Sequence, residues 1–241
     1  MEPFTPVLPN PEKPSGGGSL GANLSIPKRL LVLLISYWTI FHVVLIGLTV
    51  GIPWTLFRWR LLAGLSLLFL VPPLLGRIVR SLVTIREGRI PIGRRDFYVW
   101  WVLFNLQVIF CRFPALEEGL RLIPGLYGFW LQLWGARIGQ LIYWGAGLRI
   151  LDRPFLEIGN GVIFGATVRL NSHVLARNKA GELELILAKI VIGKEALIGG
   201  YSLLTAGTEI APGECTKAFL ISPPFSKWKG GVRVAKADPV S

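Results

Sequence analysis

The feature that most constrains this chain is a period of six. Ile138, Trp144 and Ile150 stand six apart, as do Ile158, Phe164 and Leu170, and again Ile192, Ile198, Leu204 and Ile210. Gly139, Gly159, Gly165, Gly193 and Gly199 follow five of these anchors. Neither a 3.6-residue helix nor a two-residue strand alternation produces that spacing. A solenoid does, when each six-residue unit forms one flat side of a prism and its apolar anchor points inward. The small residue after the anchor is expected at a tight corner, where positive φ or close backbone approach excludes a larger side chain. The array therefore predicts a parallel β-solenoid over residues 135–215.

The rhythm breaks twice. Eight residues separate Ile150 from Ile158, which predicts a two-residue bulge at a corner containing Pro154. The larger break, 171–191, is long for a compact repeat, and loops thrown out of a rigid scaffold commonly carry function. It opens with Asn171, Ser172 and His173. The GELELILAK stretch alternates and predicts a β-hairpin arm packed on a neighbouring subunit, with Glu182 and Glu184 on its solvated face.

Upstream of the array the chain reads as membrane. Hydrophobic residues make up 52% of the 241, nine of them Trp, and mean hydropathy is +0.54, more than an ordinary soluble domain needs. Residues 1–27 are rich in Pro and Gly, lack apolar periodicity and are expected to be a flexible cytosolic tail. The first apolar run starts only at Leu30, so no secretory signal is expected. Leu30–Val50 has no Asp, Glu, Lys or Arg and is long enough to cross a bilayer. His42 lies within it; an intramembrane His is a functional candidate, but bonding to a neighbouring helix is the favoured reading. Leu61–Gly76, extended back to Trp54, makes a second span with Arg58 and Arg60 able to snorkel.

Six arginines follow within nineteen residues, Arg77, Arg80, Arg86, Arg89, Arg94 and Arg95, against Arg58 and Arg60 in the connecting loop. The positive-inside rule then places both ends of a helical hairpin, and the solenoid, on the cytoplasmic face of the inner membrane. Phe97–Cys111 is short for a span and is expected to be interfacial or re-entrant. In residues 115–134, Tyr127, Trp130 and Trp134 share one helix side, which fits an interfacial anchor and a cap over the first coil equally. Glu117 and Glu118 resemble a carboxylate pair, but adjacent helix residues point apart, so a solvated first turn is expected. The net charge of +12 flanks apolar runs, favouring anionic lipid or phosphate over nucleic acid. Cys111 and Cys215 sit in unlike contexts, so no disulfide is expected.

The segments GARIG, FLEIGNGVIFGATVRLNSHVL and IVIGKEALIGGYSLLTAGTEIAPG resemble the hexapeptide-repeat acyltransferases, whose fold is a left-handed β-helix. PGLYGFWLQLWGARIG, running from an apolar stretch into the first coil, looks like membrane-associated members, including the acyltransferase-like portion of some nonribosomal-peptide-synthetase-like enzymes. The resemblance covers roughly residues 120–215. It implies transmembrane and interfacial α-helices followed by a short left-handed parallel β-helix, packed as a homotrimer.

The same resemblance implies that His173 is a general base, deprotonating an acceptor hydroxyl or amine for attack on a thioester. Asn171 or Ser172 would orient the imidazole or bind acceptor, and Glu157, Glu182 and Glu184 are the carboxylates available to fix its tautomer. For acyl-CoA, acetyl-CoA above all, it points to an open corner at Gly199, Gly200 and Tyr201, with Lys194, Lys217, Lys227 and Lys229 near the phosphates. Zinc carbonic anhydrases also use this solenoid but need three histidines; with only His173 outside the membrane segment, no metal is expected.

The expected activity is acyl transfer from acyl-CoA to a lipid-linked or amphiphilic acceptor in the membrane. A non-catalytic membrane subunit using the prism as a docking platform is the alternative, since fold does not fix function. A domain split from a peptide-synthetase-like enzyme, acting on an amine, is a third reading. Residues 216–241 look too short for more coils and are expected to strap a neighbour or contact lipid.

Overall fold

A computed structural model describes residues 25–234. The expected N-terminal tail therefore lies outside the described residues except for its last three positions, as does the end of the C-terminal extension.

Two long apolar helices open the described chain. The first, Ile26–Gly51, consists of α1 (Ile26–Ser36) and α2 (Trp38–Gly51); the second, Phe57–Leu82, consists of α3 (Phe57–Phe69) and α4 (Val71–Leu82). Each has 26 residues, with mean hydropathies of 2.3 and 1.9, enough to cross a membrane by length and composition. Both outrun the apolar stretches that announce them, because Lys28, Arg29, Arg77 and Arg80 continue the helices beyond the hydrocarbon-like core. Arg60 turns back and donates from Nη1 to the Val50 carbonyl at 3.0 Å, satisfying a terminal acceptor of α2. His42 is buried, stacks on Trp38 at 5.5 Å, and its Nε2 lies 2.9 Å from the Leu67 carbonyl. It ties the two long helices together, as the structural reading of an intramembrane His requires.

A short strand, Gly88–Pro91, leads to α5 (Arg95–Arg112), which bends by 81° into α6 (Ala115–Arg121), followed by α7 (Leu126–Leu133). The expected interfacial segment is thus an 18-residue helix. Phe97, Trp100, Leu103, Leu106, Ile109 and Phe110 are all buried, because α5 lies between the first helices and the coils. Tyr127, Trp130 and Trp134 are buried as well. Tyr127 meets Trp144 edge-on at 4.9 Å, so α7 caps the first coil and these three side chains do not face lipid. Gly76 of α4 lies against Trp134, where an added Cβ would come within 3.2 Å of the indole ring.

The C-terminal region is strand-rich and its sheets are parallel, apart from a hairpin arm and the last strand. Three ladders are visited in rotation. On the first face Arg137 pairs with Glu157, Glu157 with Val191, Val191 with Glu209 and Glu209 with Lys227. On the second, Tyr143, Ile163, Leu197 and Cys215 are successive partners. On the third the series is Arg149, Arg169, Leu203 and Ile221. The apolar anchors lie one position further on, and Ile138, Ile150, Ile158, Phe164, Leu170, Ile192, Ile198, Leu204 and Ile210 are buried in one core shared with α5 and α7.

Corner chemistry is divided between two positions. Where the residue after the anchor is glycine, the next coil is too close for a side chain: a Cβ on Gly165 would overlap the Gly200 backbone. Positive φ falls two residues later, at Leu141, Gly147, Gly161, Thr167, Glu195, Tyr201, Gly207, Gly213, Phe219 and Phe225. That series extends the array past residue 215. Ile221–Ser222 and Lys227–Lys229 add a further coil, closed by an antiparallel strand at Val232–Val234. Its anchors were illegible because they are polar. Thr216 accepts from the Gly199 amide at 3.0 Å, and Ser222 Oγ lies 2.9 Å from both Thr208 Oγ1 and Trp228 Nε1.

Candidate active site

The first break in the rhythm builds the site. Its two extra residues form a 3-10 turn at Arg153–Phe155 and turn Asp152 and Arg153 inward, where they are almost wholly buried. Buried charges need partners, and α5 supplies them. Trp100, Phe104, Gln107 and Cys111 follow at helical spacing, so one stripe of the helix faces the break. Trp100 Nε1 donates to Asp152 Oδ1 at 3.1 Å, and the Gln107 amide oxygen accepts from the Arg153 backbone at 2.7 Å and from its Nη1 at 3.2 Å.

The second break begins at the same corner one coil further on. Ile150 and Leu170 are register partners, so the residues following them stack. Ser172 is buried and its hydroxyl donates to the Phe155 carbonyl at 3.0 Å. His173 then points back toward Asp152, with Nδ1 2.6 Å from Oδ2. Trp100 packs on the imidazole at 4.8 Å and Phe104 meets it edge-on at 5.4 Å. Each oxygen of the Asp152 carboxylate therefore has a partner, Trp100 or His173, while Nε2 of His173 has no protein hydrogen bond among the described residues. The His173 side chain keeps 13% of its surface exposed.

Burial is the largest single influence on the His173 pKa and pushes it down; the charge and hydrogen bond of Asp152 together overcome it, leaving the pKa above the ordinary 6.5. A histidine held at Nδ1 by a buried carboxylate, with Nε2 free, can accept a proton at Nε2 and be stabilised as imidazolium.

Sequence reasoning named His173 as a candidate but not the carboxylate that lies beside it. Glu157 instead bonds Lys189 at 2.9 Å, and Glu182 is exposed and bonds Asn178. Glu184, expected on a solvated face, is buried and paired with Arg89. The reason lies in the arm: its strands His173–Arg177 and Leu183–Leu187 join Gly88–Pro91 of the same chain in a three-stranded antiparallel sheet. The arm thus pairs with a strand of its own chain. Ser172 anchors the corner without touching the imidazole, and Asn171 lines a cavity of about 120 Å³ with Cys111, Arg149, Arg153 and Arg169. Asp152 had one sequence signal, a charged Asp-Arg pair at the short rhythm break.

Glu117 is the second correction. It is buried, bonds Nε of Arg153 at 2.6 Å, and accepts from Arg121 at 3.2 Å and from the Tyr127 hydroxyl at 3.0 Å. Its neighbour Glu118 shares Arg121 with it and accepts from the Gly147 amide. Burial, then the Glu117 charge, holds the Tyr127 phenol far above its usual pKa. For Arg153 burial is the largest influence and favours the neutral form, but Glu117, Cys111 and Tyr127 together outweigh it and the guanidinium stays charged. The cluster clamps the 3-10 turn that presents Asp152.

The residues expected to hold the acyl donor are not gathered. Lys194 lies beside Gly159 and Asn160, near the corner that follows the first face. Gly199, Gly200, Tyr201 and Lys217 lie at the next corner round the coil. Gly199 is covered by the following coil and its amide is taken by Thr216. Gly200 accepts at its carbonyl from the Phe219 amide. Tyr201 is exposed and stacks on Phe219 at 5.2 Å, and Lys217 is exposed. Cys111 and Cys215 are both free thiols.

No protein-family model matches the sequence, and a search of curated proteins gives no match. Among solved structures, a hexapeptide-repeat-containing acetyltransferase from Vibrio cholerae is similar over 54% of this chain and 90% of its own, at 10% identity and a TM-score of 0.32. So distant a likeness assigns no activity.

Proposed function

We propose that this chain is a membrane-anchored acyltransferase whose coils form a left-handed β-helix, moving an acyl group, acetyl by preference, from acyl-CoA to a hydroxyl or amine of a lipid-linked or amphiphilic acceptor. The observation that carries the reading is the His173–Asp152 pair at a corner of the coils, packed under a helix that also contacts the two long apolar helices. Nε2 of His173 takes the acceptor proton while the acceptor oxygen or nitrogen attacks the thioester carbonyl. The carbon–sulfur bond breaks, and the thiolate leaves with the proton returned by the imidazolium. Asp152 holds the Nδ1 proton and stabilises the charged intermediate ring. Tyr201 and Lys217 remain available to the donor, whereas the bonded Gly199 amide does not fit that role.

The reading includes a homotrimer on the cytoplasmic face of the inner membrane. Tyr143, Ile163 and Leu197 form an exposed, mostly apolar outward column on the second face, which copies of this chain would cover. The excess of arginine after the second long helix supports the sidedness. The division of the expected donor residues between two corners favours the alternative, a non-catalytic docking platform. The two are separated by incubating protein in lipid nanodiscs with acetyl-CoA and membrane lipid extract: time-dependent thiol release with a mass gain in a lipid supports transfer, and its absence together with no CoA binding supports the platform.

A further inference from the structure

The cavity beside the dyad has an unusual mouth. Arg149 and Arg169 are register partners on adjacent coils of the third face, both exposed. Paired strands lie about 4.8 Å apart, and like charges directly opposite one another destabilise a sheet. The corresponding outward positions of the first face avoid this: Arg137 stands against Glu157 and Lys227 against Glu209. The guanidinium groups of Arg149 and Arg169 have no carboxylate or other hydrogen-bonding partner among the described residues. They line a cavity of about 120 Å³ together with Asn171 and the buried Arg153, whose charge is paired with Glu117 in the same wall. Asp152 and His173 are not in its lining, but Leu151 and Asn171, which are, stand one and two residues from them in sequence.

We infer that Arg149 and Arg169, with Asn171, form a phosphate-binding subsite at the mouth of this cavity. Two guanidinium forks converging on one anion provide bidentate, charge-assisted hydrogen bonds and remove the repulsion that the bare pair carries. A phosphate has the charge and compactness for the position. It would belong either to a lipid headgroup or to a soluble phosphate compound. The subsite stands on the arginine pair and the cavity, independently of acyl transfer.

The test uses the full chain in uncharged detergent, titrated with inorganic phosphate, with dioctanoyl phosphatidic acid and with dioctanoylglycerol. Affinity is followed by calorimetry and by the thermal transition. Wild type is expected to bind phosphate or phosphatidic acid and not the uncharged diacylglycerol. Arg149→Gln and Arg169→Gln should each weaken binding about tenfold or more, as loss of a charge-assisted hydrogen bond predicts. Without ligand both variants should unfold at or above the wild-type temperature, because the repulsion is relieved; this separates loss of the site from loss of the fold. Binding of phosphatidic acid alone identifies a lipid headgroup, and equal binding of inorganic phosphate identifies a free phosphate group. Absence of binding, or binding unchanged in both variants, overturns the subsite. A protein that binds phosphate but transfers no acyl group overturns the proposed activity alone.

Discussion

His173 and Asp152 are 21 residues apart in sequence, and their side chains meet at 2.6 Å because successive coils place the two rhythm breaks at one corner. This contact sets the protonation of the proposed base. Asp152 raises the His173 pKa against the opposing influence of burial, and only the neutral imidazole accepts a proton. The rate should therefore rise with pH through a value above 6.5. In Asp152→Asn only burial remains, so that limb should move to lower pH, while the plateau falls by about 10²-fold or more. A pH–rate profile of both proteins checks this; a limb that stays in place contradicts it.

The same contact makes stability depend on pH. A histidine pKa raised by folding contributes stability that is fully present below the unfolded value near 6.5 and is lost as pH rises through the higher folded value. The melting temperature of wild type should exceed that of Asp152→Asn most at acidic pH, with the gap narrowing as the pH rises through that folded value. A gap that widens with pH would contradict the assignment.

Glu117 and Arg153 form a buried ion pair under the 3-10 turn. Removing one partner strands the other, so Glu117→Leu and Arg153→Met are each expected to cost about 3–5 kcal/mol, and the two combined much less than their sum. Denaturation in detergent provides the double-mutant cycle.

The polar anchors of the last coil make a separate prediction. Ser222 is wholly buried and its hydroxyl serves both Thr208 and Trp228. Ser222→Ala should destabilise by about 1–3 kcal/mol through the polar groups left unpaired. A neutral effect, read from the same melts, would mean that Thr208 and Trp228 find other partners.

The residues that announced the fold were those whose role is local and repetitive. An apolar anchor every six positions is legible because each repeat buries the same kind of side chain. Thr216 and Ser222 hid the last coil because hydroxyls satisfied by hydrogen bonds can replace apolar anchors. The adjacent glutamates both reach Arg121, and which one is buried depends on Arg153, 36 residues away. Asp152 was missed for the same reason, since its partners Trp100 and His173 come from a helix and a coil that meet only in three dimensions. The aromatic face of α7 was legible as a face, but whether lipid or protein covered it was not.

The central claim is that His173 accepts a proton in acyl transfer, and the most direct measurement is single-turnover transfer from acetyl-CoA to membrane lipid by wild type and His173→Gln in nanodiscs. The dyad predicts a rate about 10²- to 10⁴-fold lower in the variant with donor binding preserved; equal rates in the two proteins would contradict it.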